Sequence, residues 1–228
     1  FRIRYQILGD PKISIVIANK DHAEDLKRCI TSIQKNSTWS NIEIIVVENN
    51  STTPEIKDYY SQLLGLSGDD SYEERCKLHT VCGHDGGILH SGDGRISIVT
   101  YHGDFNYSAV NNLGVSYASG EYILLLNNDT EVITANWMEE MLMYAQREDV
   151  GAVGAKLYYA DKTIQHAGVV IGLGAHRTAG HTHYRIPVQN LGYMGRLCYT
   201  QNVTAVTGAC LLVKKSLYEQ VGGLDESF

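Results

Sequence analysis

The sequence predicts an α/β fold, an open and mostly parallel sheet flanked by helices. Three observations lead there. Continuous apolar, β-branched runs recur at "ISIVIA" (13–18), "IEIIVVE" (42–48), "ISIVTY" (96–101) and "YILLL" (122–126). Runs of this kind read as strands buried on both faces. Helical spacing fills the gaps between them, and strand–helix–strand repeats imply parallel crossovers. Three of the runs then break into polar residues, at Asn19–Asp21, Glu48–Ser51 and Asn127–Asp129.

After the first strand, "DHAED" has capping-box spacing, with Asp21 as the cap and Glu24 reaching back. Leu26, Cys29, Ile30 and Ile33 then fall at i, i+3, i+4 and i+7, one face of a helix. The second strand follows at 42–48. Residues 61–95 interrupt the alternation with "LSGDD", "GHDGG" and "HSGDG", which is turn material, and read as a surface insertion. That insertion carries Cys76, His79, Cys82, His84 and His90, residue types that zinc takes, but the spacing matches no standard finger. An irregular loop is the expectation. Beyond the third strand, "SAVNNLGVSYASG" (108–120) predicts a short helix capped by Ser108 and stopped by Gly120. The fourth strand leads to a helix over 136–147, and "GAVGAKLYY" and "ACLLVKK" supply later strands. Between these, 174–201 is loop-like and rich in Gly, His and Tyr, the kind of long loop that often serves a ligand face.

A net charge of −7 with no basic run argues against a nucleic-acid surface. It does not exclude a phosphate-bearing ligand, because a bound divalent cation reverses the local sign. No run approaches the roughly 18 apolar residues of a membrane span, and no secretory signal is visible. Five cysteines, odd in number and scattered, read as reduced thiols in a cytoplasmic protein. The chain begins without Met and stops at Phe228, which reads as a piece of a longer polypeptide.

In open α/β sheets, ligands sit outside the carboxyl ends of the strands. The three polar clusters should therefore face one crevice. Turn chemistry alone also explains Asn and Asp after a strand, and by spacing the two readings stand about even.

Four stretches, in order, shift that balance: "ISIVIANKDHAEDLKRCITSI", "IEIIVVENNST", "NNLGVSYASGEYILLLNNDTEV" and "GACLLVKKSLYEQVGGLDESF". Together they resemble family 2 glycosyltransferases of the GT-A fold, which is Rossmann-like with a smaller mixed acceptor-side region. The likeness is to bacterial enzymes of O-antigen, rhamnan and cell-surface polysaccharide assembly, and covers nearly the whole chain apart from 61–95. It implies a single domain over 1–228, with a nucleotide-binding half at 1–135 and an acceptor-side half at 136–228. The family's Asp-x-Asp motif, which holds a divalent cation against the donor's diphosphate, aligns with Asn127-Asn128-Asp129. An amide replaces the first carboxylate and the last is kept. The resemblance makes Asp129 the ligand of Mn²⁺ or Mg²⁺, with substrate phosphates and water completing the shell. Asn127 and Asn128 fall to the nucleotide, Asn127 at the ribose or an outer-shell water. Glu48 takes the place of the acid that accepts from the base or ribose. Ala18 and Asn19 stand at the nucleoside loop, Asn50 and Ser51 shape it, and Asn112 matches the family's Asn-x-Gly helix.

The implied reaction is inverting transfer from a UDP- or dTDP-linked sugar to a glycan or lipid-linked acceptor. A general base must take the acceptor's proton. In resembling enzymes it is an Asp just after the "GGLDE" segment, so it is expected beyond Phe228. Asp225 is the candidate within the chain, though the resemblance gives it to the loop supporting the acceptor. "IQHAGVV" and "AGHTHYR" occur in the related enzymes, which puts His181 at the border of the acceptor or diphosphate cleft, with Thr207-Gly208 near the sugar. A non-catalytic nucleotide- or glycan-binding module of a larger polysaccharide-synthesis protein is the alternative. A sugar-1-phosphate nucleotidyltransferase would need a Gly-rich loop that "IANKDHAED" lacks.

Overall fold

The computed structural model describes residues 3–68, 70–81, 87–173 and 178–227. β1 (Ile13–Asn19) and β2 (Ile42–Asn49) lie parallel, with Asn19 beside Glu48 in register. β3 (Ile88–His90) pairs antiparallel with β4 (Ile96–Tyr101), which is parallel to β2. β5 (Tyr122–Leu126) returns to the other side of β1, again parallel. β6 (Ala152–Gly154) is followed by two small hairpins, β7 (Leu157–Tyr158) with β8 (Ile164–His166) and β9 (Val169–Ile171) with β10 (Ala179–His181). β11 (Cys210–Lys214) then inserts antiparallel between β5 and β6. The main sheet thus runs β3-β4-β2-β1-β5-β11-β6. Its chain order reverses between β1 and β5, which makes that gap the topological switch point.

The alternation of side chains gives the sheet two cores. Ile13, Ile15, Ile17, Val46 and Leu124 face one core. On it pack α1 (Ala23–Asn36), α2 (Pro54–Leu64) and α5 (Trp137–Ala145), through residues such as Ile30, Tyr60 and Leu142. Val16, Val47, Ile123 and Leu125 face the other, covered by α4 (Tyr107–Ser116) and α6 (Lys215–Gln220) through Val110, Val115 and Tyr218. Residues buried on both faces are what made the strands legible as unbroken apolar runs.

Several local readings change. The stretch read as a surface insertion adjoins α2, whose Ile56 and Tyr60 are fully buried, and carries α3 (Tyr72–Val81) and β3. Tyr72 packs on Tyr60 with ring centroids 5.0 Å apart, so part of 61–95 belongs to the core. Cys82 and His84 lie outside the described residues. Asp21 does not cap α1: His22 holds the cap position with a left-handed backbone and no side-chain cap. The Asp21 carboxylate turns instead to Thr52 N–H at 2.8 Å and Thr53 N–H at 3.0 Å, at the start of α2. Two amides on a neighbouring helix start outcompete one on its own. The cap of α4 lies two residues earlier than expected: Asn106, not Ser108, caps it, accepting from Ala109 N–H at 2.9 Å. The helix ends before Gly120, whose role is close packing: a Cβ there would lie 2.7 Å from the Lys12 carbonyl.

Candidate functional site

The carboxyl ends of β1 and β5 meet at the switch point, and a side-chain bridge spans it. Asn128 donates to Asn19 Oδ1 at 2.7 Å. Asn19 is buried in turn, giving its own amide hydrogens to the Asp21 carbonyl at 2.8 Å and Tyr60 Oη at 2.9 Å. Tyr60 Oη in turn donates to Glu48 Oε2 at 2.6 Å. Glu48 also accepts from Ser51 Oγ at 2.6 Å and from Ser51 N–H. Ser51 Oγ closes the chain by accepting from Asp21 N–H at 2.7 Å. Burial, first, and the Glu48 charge, second, push the Tyr60 phenol well above its usual range, so it stays a donor.

This network places Ala18, Asn19, Glu48, Asn50, Ser51, Asn127, Asn128 and Asp129 along the ends of three adjacent strands. They differ in availability. Glu48 is 5% exposed, with both oxygens committed inside the protein, and Asn19 is 3% exposed. Asn50 sits exposed with φ of 54°, its amide on the Gly103 carbonyl at 3.0 Å. Asn127 anchors the tip of β5, its N–H on the Ala209 carbonyl at 3.0 Å and its own carbonyl taking Thr130 Oγ at 2.8 Å. Asp129 is exposed and accepts no hydrogen bond or ion pair from any described residue. No cluster of three or more His, Cys, Asp or Glu forms a metal site among the described residues, so Asp129 stands as a lone carboxylate among amides.

Asn112 is placed elsewhere, on the opposite core's helix, and is fully engaged. Its amide donates to the Leu224 carbonyl at 2.8 Å and Glu226 Oε1 at 2.7 Å, while its Oδ1 accepts from Leu224 N–H at 2.9 Å and from Tyr218 Oη. It clasps the "GGLDE" segment, helped by Asn106, which donates to the Glu226 carbonyl at 2.9 Å. Asp225 projects from that segment, exposed, accepting from Ser227 N–H at 2.9 Å and Ser227 Oγ at 2.7 Å. Those two bonds hold its carboxyl below the usual carboxylate range.

His181 is exposed at the end of β10 and pairs with His166, Nδ1 to Nδ1 at 3.1 Å with the rings at 84°. Thr207 N–H reaches His166 Nε2 at 3.5 Å, which leaves the His166 proton on Nδ1, facing His181. His166 is 2% exposed, and burial, with the neighbouring His181 second, pulls it down to about 4. Gly208, beside Thr207, gives its carbonyl to Tyr107 Oη at 2.9 Å and leaves no room for a Cβ against that ring.

Four participants escaped the sequence reading: Asn49, Tyr60, His166 as a tautomer setter, and Asp21 as a loop tie. Asn49 is 1% exposed and its Oδ1 is buried without a partner among the described residues. Its place in the run of polar residues ending β2 was the available signal. For Tyr60 the signal was the spacing of Ile56, Tyr59, Tyr60 and Leu64 at i, i+3, i+4 and i+8, one face of a helix.

The fold is shared with known proteins. A mannosyltransferase from Pyrobaculum calidifontis, solved in complex with GDP-Man and Mn²⁺, superposes with a TM-score of 0.57 at 11% identity, over 98% of this chain and 51% of that one. At that identity it speaks for the fold, which is GT-A as expected. A Sinorhizobium fredii protein, y4gI, is 39% identical over 227 residues, covering 100% of this chain and 22% of its own. The O-antigen biosynthesis protein RfbC of Myxococcus xanthus is 34% identical over 229 residues, covering 100% of this chain and 16% of its own. The chain thus spans about a fifth of the length of these curated relatives. The profile of Glycosyl transferase family 2 matches residues 14–78 and 87–222, taking in every strand of the main sheet, the switch-point bridge and the clasped "GGLDE" start. By that match, and by the fold, this chain belongs to glycosyl transferase family 2.

Proposed function

We propose that the chain transfers a sugar, with inversion, from a nucleoside-diphosphate donor to a glycan or lipid-linked acceptor in cell-surface polysaccharide assembly. The observation that carries this reading is Asp129: an exposed, unpartnered carboxylate fixed at the tip of a buried strand beside the switch point. The name of the Myxococcus xanthus relative supports the glycan context, and the GDP-Man and Mn²⁺ of the structural neighbour support donor and cation. For this chain the donor is read as UDP- or dTDP-linked.

The donor set fits a hard divalent cation, Mn²⁺ or Mg²⁺. It offers oxygen only, since burial pushes the nearby Cys29 thiol up to about 11 and leaves no thiolate to compete. Asp129 would hold the ion together with the donor's phosphates. When bound, the ion neutralises charge developing on the leaving diphosphate. The chain's own residues do the positioning. The Asn19–Asn128 bridge fixes two strand tips relative to each other, and Glu48, through Tyr60 and Ser51, sets the nucleoside loop. Asn127 supplies an amide for the ribose. His181 is held by His166 with Nδ1 accepting, so in its neutral form its proton lies on Nε2 and it serves as a donor to acceptor or diphosphate oxygens. Asp225, held ionised and weakly basic by Ser227, suits support of the acceptor loop, which leaves the general base to another group.

Calorimetry with UDP and dTDP, with and without Mn²⁺, tests the reading. Binding is expected to require the cation, and Asp129→Asn is expected to weaken it at least about tenfold with an unchanged circular dichroism spectrum. If no nucleoside diphosphate binds under either condition, the transfer reading fails and a glycan-binding module replaces it.

A further inference from the structure

A second cleft, of about 450 Å³, lies outside the strand-tip crevice, between the β9–β10 hairpin and the segment after the 3₁₀ turn at Tyr193–Cys198. Val170 and Val203 give it apolar walls, and Thr182, His183, Arg196 and Gln201 give it polar ones. No acidic side chain lines it.

Two features mark it as built for a ligand. Arg196 is held in place: its Nε donates to Gln201 Oε1 at 3.2 Å, and Gln201 returns Nε2 to the Arg196 carbonyl at 2.9 Å. Lys156 secures the same turn through the Leu197 carbonyl at 3.1 Å. Yet the guanidinium meets no carboxylate among the described residues, unlike Arg4, Arg28, Arg75, Arg95, Arg147 and Arg185. The second feature is His183, which lines the cleft on a left-handed backbone with φ of 57°. A left-handed backbone at a residue other than glycine costs stability. Such costs collect at ligand sites.

We propose that this cleft binds a sugar carrying an anionic group, a carboxylate or a phosphoryl. Apolar walls suit the C–H faces of a pyranose, amides and hydroxyls suit its hydroxyls, and a preset guanidinium fork suits a planar or tetrahedral oxyanion. The cleft adjoins the strand-tip site: Thr182 follows His181, His166 links to Thr207, and Ala209 holds Asn127. That adjacency makes it the acceptor's side of the reaction, an assignment that rests on the transfer reading above.

The 228-residue chain, ¹⁵N-labelled, is titrated with glucuronic acid, glucose 6-phosphate, inorganic phosphate and glucose, and separately with UDP and Mn²⁺. The charged sugars are expected to shift the Thr182, Gln201 and Thr204 amides and to bind at least about tenfold more tightly than glucose. Arg196→Gln is expected to erase that preference and leave UDP binding unchanged, and Arg196→Lys to retain part of it. Glucuronic acid against glucose 6-phosphate tells which anion is preferred. Inorganic phosphate binding as tightly as the sugars overturns the sugar assignment. Equal binding of glucose, a preference that survives Arg196→Gln, or shifts confined to other residues overturns the proposal. If charged sugars bind here while UDP binds nowhere, the cleft stands and the transfer reading falls.

Discussion

His166 is a buried imidazole kept neutral between Thr207 N–H and His181. Its value in the fold, about 4, lies below the ordinary 6.5. Above pH 6.5 neither the folded nor the unfolded chain protonates it, and it costs nothing. Between pH 6.5 and 4 the unfolded chain takes up a proton that the fold refuses, so stability falls as pH falls, by roughly 3 kcal/mol at the limit. Urea midpoints at pH 7.5 and 5 are expected to differ by less in His166→Asn than in the parent. Tyr60 is the other single residue on which much depends. Tyr60→Phe removes a donor from Glu48 and an acceptor from Asn19, and is expected to cost about 1–3 kcal/mol in urea unfolding and to weaken nucleotide binding.

At the scale of elements, α4 organises the segment that carries Asp225. Its cap, Asn106, serves both Ala109 N–H and the Glu226 carbonyl, so Asn106→Ala is expected to destabilise by about 1 kcal/mol or more. Gly114 lets the helix lie flush on β1 and β2: a Cβ there would sit 2.4 Å from Val16 Cγ1 and 2.7 Å from Val47 Cγ2. Both valines are fully buried. Gly114→Ala therefore gains about 1 kcal/mol of helix propensity and loses more to overpacking, with a lower thermal midpoint expected. Asn112 supplies a third test. Asn112→Ala is expected to speed amide exchange at Leu224 about tenfold or more and leave β1 amides protected, because it frees the "GGLDE" segment without opening the sheet.

Across the whole molecule, two halves meet along β5 and β11. The parallel half brings its strand ends to one crevice, and the antiparallel half brings the hairpins and the loop at Thr207–Gly208 to the same edge through Ala209. Most of the parallel half was readable along the chain, because strands buried on both faces leave unbroken apolar runs and α1 shows its period in Leu26, Cys29, Ile30 and Ile33. The polar tips at Asn19, Glu48 and Asn127–Asp129 were readable for the same reason, as abrupt stops to those runs. The hairpins β7–β10 were not, since two- and three-residue strands carry too few residues for a period. Helix α2 carried its own signal, Pro54 at the first position and Ile56, Tyr59, Tyr60 and Leu64 at helical spacing, but the run ends in the turn material that follows it.

The sequence by itself determined the layered α/β sheet, the family and the lone carboxylate at position 129, since each is written in local runs and ordered motifs. Tertiary structure decided who partners whom. It turned Asp21 away from its own helix, spent Glu48 and Asn112 on internal bonds, joined His166 to His181, and tied Arg196 to Gln201 at a cleft with no carboxylate on it among the described residues. Hydrogen-bond partners lie more than 100 residues apart along the chain, as for Asn112 and Glu226, 114 apart, and no local pattern can encode such a choice.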